Sequence, residues 1–94
     1  MEICRVIGNV WATKKAPALE GLKLMIVQNL HGTEDQNVCK VAADMVGAGI
    51  GERVLVVRGS SARLAASNPQ TYIDAAIVGI VDEMEIPNEG RGGN

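Results

Sequence analysis

The chain has 94 residues, and its eleven acidic and nine basic side chains leave a formal net charge of −2. Apolar residues make up 47% of it, yet it has only one Trp, one Tyr and no Phe, so its core must be aliphatic. This length fits one domain, the apolar fraction excludes a disordered chain, and the mild acidity argues against a phosphate-binding surface. Because a chain this short buries only about two-thirds of its unfolded surface, oligomerisation is a common remedy for its small core.

The apolar segments are predicted to be strands. Residues 2–13 alternate, with Cys4 and Val6 on one face, and Gly8 inside the pattern indicates a β-bulge or a close backbone approach. Four further strands are expected at residues 22–30, 38–43, 53–58 and 75–86. The continuous apolar centre of residues 53–58 predicts burial on both faces of that strand.

The segments between the strands carry turn residues. Residues 14–21 and 31–37 are expected to be loops, and the glycine-rich residues 44–52 a turn. Strands joined mainly by short turns are typical of a mainly β protein, here a small five-stranded antiparallel barrel of the OB-like kind with one short helix. We expect this barrel to be a single domain over residues 1–87.

The pattern changes to a helical one after the fourth predicted strand. Ser60 or Ser61 is expected to cap a short helix that contains residues 62–66. Pro69 is expected to end it, because proline cannot continue a helix.

The end of the chain is polar, and no targeting segment is visible. Residues 88–94 contain no apolar side chain and are expected to form a mobile tail. No apolar run approaches the ~20 residues of a membrane span. The first residues lack the basic and apolar segments of a signal peptide, so a cytoplasmic location is expected.

The sequence shows no set of residues typical of catalysis or metal binding. The glycines of residues 47–51 lead into a strand, whereas a phosphate loop leads into a helix. The serines at 60–61 lack the nucleophile spacing and a neighbouring base. Cys4 and Cys39 do not form a Cys-x-x-Cys pair, and the one histidine, His31, does not complete a zinc site. We therefore predict a protein that is not an enzyme, with no catalytic residues, no metal and no cofactor.

Six segments, taken together, resemble one known family. They are residues 5–13 (RVIGNVWAT), 19–24 (LEGLKL), 43–52 (ADMVGAGIGE), 54–56 (VLV), 59–63 (GSSAR) and 73–82 (IDAAIVGIVD). In this order and spacing they resemble the EutN/CcmL family, the vertex proteins of bacterial microcompartments. The resemblance covers roughly residues 1–86.

The resemblance implies a structural role. Members of the family are five-stranded barrels that assemble as homopentamers and fill the five-fold vertices of a polyhedral shell. The facets of that shell are made by hexameric shell proteins of a different fold. The resemblance thus implies a cytoplasmic shell component whose partners are other shell proteins, with no nucleic acid and no membrane among them.

The resemblance also implies a location for one motif. The family's GSSAR segment matches Gly59, Ser60, Ser61, Ala62 and Arg63. These residues are expected near the subunit interface and the five-fold axis, with the two serines facing the axial opening. Arg63 is hypothesised to pair with Asp74, either within the subunit or across the interface.

The alternative function is that of a small OB-like barrel that binds a nucleic acid or a small ligand. Such barrels stack bases on aromatic side chains in a basic groove, which two aromatic residues and a negative net charge fit poorly.

Apolar residues on the second face of the first strand are Ile3, Ile7 and Trp11. We expect a neighbouring subunit to cover them, since a repeated contact between two different faces closes a ring.

Overall fold

A computed structural model describes residues 1–12, 15–30, 39–67 and 73–83 of the chain. In chain order, its elements are β1 (Glu2–Val10), a 3-10 turn (Pro17–Leu19), β2 (Leu24–Asn29), β3 (Cys39–Asp44), β4 (Arg53–Arg58), α1 (Ser60–Ala65) and β5 (Ala75–Ile80). The predicted strands and the short helix are confirmed. The first strand ends at Val10 rather than at residue 13, and the second begins at Leu24 rather than at residue 22. The last strand ends at Ile80 rather than at residue 86, and the helix ends at Ala65 rather than at residue 66.

Several sequence predictions concern residues outside the described set. The loop at 31–37, the proline expected to end the helix (Pro69) and the polar tail at 88–94 all lie there. The single domain over residues 1–87 therefore stays a prediction.

The strands close into a barrel in the order β1-β2-β3-β5-β4. Four neighbouring pairs are antiparallel, whereas β3 and β5 are parallel. With five strands in a closed ring, alternating directions cannot continue all the way round, so one pair must be parallel. The predicted five-stranded barrel is thus confirmed, and its antiparallel pattern holds everywhere except at this closing pair.

The interior of the barrel is filled by small and medium-sized aliphatic side chains. Alternate residues of each strand point inward, because side chains in a strand alternate between its two faces. The interior cluster consists of Cys4, Val6, Met25, Val27, Ala42, Ala48, Val54, Val56, Ala75 and Ile77. Each of these is at most 2% exposed, so the aliphatic core expected from the composition is present.

A second apolar cluster lies on the outside of the barrel. Its buried members are Ala43, Ala62, Ile73 and Ala76, and residues of the 3-10 turn, α1 and the barrel wall pack around them. Val57 of β4 packs against this outer cluster, while Val54 and Val56 of the same strand face the interior. The predicted burial of this strand on both faces is therefore confirmed only in part, because Val57 and Leu55 on the outer face are half-buried.

A bulge in β1 reverses which side chains face the interior. Val6 is paired with Val27, but Gly8 is paired with Ile26, so Ile7 is an extra residue at the register shift. Directly paired residues point to the same face, and Val27 is in the core whereas Ile26 is only half-buried. The bulge predicted from Gly8 is confirmed, and the inward alternation that begins with Cys4 stops at Val6.

Candidate subunit interface

The GSSAR segment forms the start of α1. Gly59 is the N-cap residue, with φ 62° and ψ −136°, and no side chain caps the helix. This backbone conformation suits glycine, which lacks the Cβ that would make it strained. Ser60 and Ser61 are the first two helical residues and are exposed. The predicted serine cap is therefore wrong: the helix begins earlier than expected, because Gly59 makes the turn into it.

The segment is held on the wall formed by β4 and β5. The backbone N–H of Gly59 donates to the carbonyl oxygen of Asp74 at 2.9 Å. Ala62 is fully buried in the outer cluster beside Ile73. On the exposed side of the helix, Leu64 is 79% exposed. The start of α1 therefore lies next to Asp74, held there by the hydrogen bond from Gly59 and by the burial of Ala62 beside Ile73.

The hypothesised pair of Arg63 and Asp74 is not formed within the subunit. Among residues 1–12, 15–30, 39–67 and 73–83, the ion pairs link Glu2 to Lys40 and to Arg58. A pair between Arg63 and the Asp74 of a neighbouring subunit stays a prediction.

An open apolar groove lies next to Asp74. It has a volume of about 190 Å³ and is lined by Leu19, Leu24, Val41, Ala43, Ile73 and Asp74. Asp74 is the charged residue of this lining. The groove was not predicted from the sequence. Its residues come from the 3-10 turn, β2, β3 and the segment before β5, and no pattern within one of these segments shows that they lie together.

Several large apolar side chains are exposed within the described part of the chain. They are Met1, Ile7, Trp11, Val41, Met45, Val46, Ile50, Leu64 and Ile80. Three residues of β1 and the segment after it were predicted to be covered by a neighbouring subunit. Of these, Ile7 is 43% and Trp11 87% exposed, and Ile3 is half-buried. Exposed apolar side chains are typical of protein–protein contacts where they form a contiguous patch.

The glycine-rich loop closes one end of the barrel and is held by its own carboxylates. The side chain of Asp44 accepts N–H bonds from Val46 and Gly47, both at 3.0 Å, and from Ala48 at 2.9 Å. Ala48 itself is inserted into the interior cluster. The N–H groups of Val46, Gly47 and Ala48, which would face a phosphate, are therefore already bound by Asp44. The predicted turn is confirmed, but it begins at residue 45, because Asp44 is the last residue of β3.

The far end of the same loop is fastened to β1. The N–H of Gly51 donates to the carbonyl oxygen of Val6 at 2.8 Å, and the N–H of Val6 donates to that of Glu52 at 3.0 Å. Arg5 Nη1 donates to the carbonyl oxygen of Gly51 at 2.7 Å, and the Glu52 carboxylate accepts the N–H of Gly49 at 2.6 Å. The loop is thus tied to the barrel by backbone and side-chain hydrogen bonds at this end.

Two glycines of this loop are expected to resist substitution, and a third is not. Gly47 and Gly51 have φ angles of 81° and 94°, so alanine at either position is expected to lower the free energy of unfolding by about 1–2 kcal/mol. Gly49 is the matched control, because its φ is not positive and an added Cβ would meet only Glu52 Oε1, at 3.5 Å. Thermal melting of the three alanine variants measures the difference. Equal melting temperatures for all three would contradict the observed turn.

A charged cluster closes the opposite end of the barrel. The carboxylate of Glu2 lies 3.2 Å from Lys40 Nζ and 3.2 Å from Arg58 Nη1. The side chains of Glu2 and Lys40 are each only 17% exposed. Burial raises the pKa of Glu2, but the hydrogen bonds and charges of Lys40 and Arg58 outweigh it and hold the pKa below its ordinary value.

This cluster makes stability depend on pH in a defined direction. A carboxyl with a lowered pKa stabilises the fold fully above its ordinary pKa, and that stabilisation is lost as the pH falls through the lowered pKa of the folded state. Glu2→Gln is therefore expected to lower the free energy of unfolding at pH 7, by at most about 1 kcal/mol, and to flatten its decline in acid. Urea unfolding between neutral and acid pH measures this, with Glu20→Gln at an exposed position as the control. A Glu2→Gln profile parallel to that of the wild type would contradict the assignment.

Within the described residues, no helix has the length and hydropathy of a membrane span, and no cluster of three or more His, Cys, Asp or Glu side chains is placed to hold a metal ion.

The fold is that of a small closed β-barrel of five strands with one short helix. A family model described as "Ethanolamine utilisation protein EutN/carboxysome" matches residues 1–82. The chain therefore belongs to the EutN/CcmL family, and the family suggested by the six ordered segments is confirmed.

Named relatives come from different kinds of microcompartment. The carboxysome shell vertex protein CcmL of Synechocystis is 44% identical over 88 residues, which cover 92% of this chain and 87% of that protein. The structure of CcmL from Gloeobacter violaceus matches with a TM-score of 0.84 and 38% identity, covering 94% of this chain and 92% of that one. The pentameric microcompartment shell protein GrpN from Rhodospirillum rubrum matches with a TM-score of 0.78 and 44% identity, covering 93% of this chain and all of that one. These similarities favour a shell protein over a barrel that binds nucleic acid.

Proposed function

We propose that this chain is a structural shell protein whose homopentamers fill the five-fold vertices of a polyhedral bacterial microcompartment. The observation that carries the proposal is the match to a pentameric shell protein over 93% of this chain at 44% identity. The physical role follows from geometry: a flat hexagonal layer must include five-fold positions to close. A barrel with exposed apolar surface on several sides is suited to that position, because it must contact neighbours within its own ring and around it.

The proposed role is structural rather than catalytic. The carboxylates of Glu2, Asp44 and Glu52 are engaged in ion pairs or in hydrogen bonds that hold the barrel ends. They stabilise the fold instead of forming an acid–base pair in a cleft. We further infer a cytoplasmic location and hexameric shell proteins as neighbours, without nucleic acid or membrane partners.

We place the segment Gly59–Arg63 at the subunit interface near the five-fold axis. Its support is the exposure of Ser60 and Ser61 on a helix whose other side is fixed to the barrel by Ala62. Asp74, which accepts a backbone bond from this segment, carries a side chain that is exposed.

The assembly state tests the proposed function directly. Native mass spectrometry is expected to give a species near five times the 9.9 kDa of one chain. Co-expression with a hexameric shell protein is expected to give closed particles only when this chain is present. A clean monomer, or closed particles that form equally well without the chain, would contradict the proposal.

Arg63→Ala is expected to weaken the ring by about tenfold or more in the dissociation constant of each contact, because it leaves the neighbour's Asp74 without its partner. Mass measurement during dilution to nanomolar concentration reads the effect. Lys23→Ala is the control, since it removes an exposed cation from another part of the surface. The double exchange Arg63→Asp with Asp74→Arg is expected to restore the ring. A pentamer that survives dilution unchanged in Arg63→Ala would refute the pairing.

A further inference from the structure

Leu64 is an isolated apolar side chain on a rigid support. It is 79% exposed, although α1 is anchored through Ala62, which is fully buried in the outer cluster. The exposed residues before it on the helix are Ser60 and Ser61, which are polar. Leu64 thus projects from a polar, firmly attached helix, which is the geometry of a side chain that enters a partner rather than one that packs within its own subunit.

The groove beside Asp74 has the size and chemistry to receive such a side chain. Five of its six lining residues are apolar, and Val41 among them is 47% exposed. Its volume of about 190 Å³ exceeds that of a cavity of about 150 Å³, which is enough to hold benzene. This volume is large enough for an isobutyl group.

The helix and the groove adjoin on the barrel wall, since Ala62 of the helix and Ile73 of the groove belong to the same outer cluster, but they are two different surfaces. α1 covers β4 and β5, whereas the groove opens over β2 and β3. A closed ring needs this arrangement, because each subunit presents one surface to the neighbour on one side and a different surface to the neighbour on the other. Two copies of one patch would instead give a two-fold dimer.

Charge is complementary at the same two places. Arg63 directly precedes Leu64 on α1, and Asp74 lies at the rim of the groove. When Leu64 enters the groove of a neighbour, Arg63 is carried towards the neighbour's Asp74. The apolar contact of Leu64 and the charge pair of Arg63 with Asp74 therefore agree on the same arrangement of two neighbouring subunits.

We propose that Leu64 of each subunit inserts into the groove lined by Val41 and Ile73 of the next subunit, with Arg63 paired to Asp74 at its rim. This inference rests on the proposed homopentamer and names the two surfaces that close it. Each ring then contains five such contacts, one per subunit.

Two single variants and their mixture test the proposal. Leu64→Glu damages the inserting side chain, and Val41→Glu damages the groove. Each variant alone is expected to lose the ring, with the dissociation constant of a contact raised by about tenfold or more. When the two are mixed, an intact Leu64 from one meets an intact groove from the other in one orientation only. The mixture is therefore expected to form a heterodimer of about 20 kDa that cannot extend to a ring.

The controls separate this inference from the proposed function. Ile50→Glu, at a residue that is 61% exposed on the glycine-rich loop, is expected to keep the ring. Leu64→Ala is measured beside Leu64→Glu and is expected to dissociate at an intermediate concentration. Thermal melting of each variant checks that the barrel is folded. A Leu64→Glu pentamer of wild-type affinity, or a mixture without heterodimer, would overturn the inference alone, whereas a monomeric wild type would overturn the proposed function.

Discussion

Replacing Ile77 with alanine is expected to lower the free energy of unfolding by about 2–5 kcal/mol. Ile77 is fully buried and belongs to the interior cluster. The interior cluster formed by the described residues contains no aromatic side chain that could shift into the space, so the substitution leaves a cavity among small and medium-sized neighbours. The loss is large compared with the ~5–15 kcal/mol by which a native domain of any size is stable.

The position of Ile77 adds to this effect. It is paired with Asp44 of β3 and with Val56 of β4, so it lies where the barrel closes through its one parallel pair. Urea unfolding at a fixed protein concentration measures the change, because subunit association adds to apparent stability. Ile50→Ala, at an exposed isoleucine, is the matched control and is expected to change stability by less than about 0.5 kcal/mol. A loss below about 1 kcal/mol for Ile77→Ala would show that the core is not packed around this residue.

Asp44→Ala is expected to lower the free energy of unfolding by about 2 kcal/mol, because three backbone N–H groups lose a charged acceptor. These groups belong to Val46, Gly47 and Ala48. Ala48 fills one end of the barrel interior, so loosening the loop also exposes core surface. Asp44→Asn keeps one oxygen acceptor and is expected to lie between Asp44→Ala and the wild type.

Hydrogen exchange of the loop amides and thermal melting measure this effect. The amides of residues 46–48 are expected to exchange faster in Asp44→Ala. Asp82→Ala, at an exposed aspartate beyond β5, is the control and is expected to melt like the wild type. Slow exchange retained in Asp44→Ala would mean that the loop is held by its fastening to Val6 alone.

Much of the fold could be predicted from short-range patterns. The alternation of residues 2–10 and the apolar run at residues 53–58 are local consequences of side-chain direction in strands, and both predicted strands are present. Gly8 predicted the bulge because an interior glycine in a strand marks a local irregularity. The glycines at residues 47–51 predicted a turn, since positive φ is available to glycine with little strain.

The helix shows where local rules compete. Ser60 and Ser61 are good capping residues, yet Gly59 occupies the capping position and the serines become the first helical residues. The chain leaves β4 in a direction that requires φ 62° at Gly59. The direction of that exit is set by the barrel wall, so the capping preference of serine could not decide the boundary.

The sequence by itself determined the aliphatic core, the strands, the short helix and the family, because these depend on residue type at short spacing and on the order of motifs. Only the tertiary structure decided how the barrel closes, where Asp74 and the groove lie, and which acids hold the barrel ends. Glu2, for example, is bound by Lys40 and Arg58, which are 38 and 56 positions away in sequence. Contacts at such separations arise from the closure of the whole barrel, and no local pattern of residues encodes them.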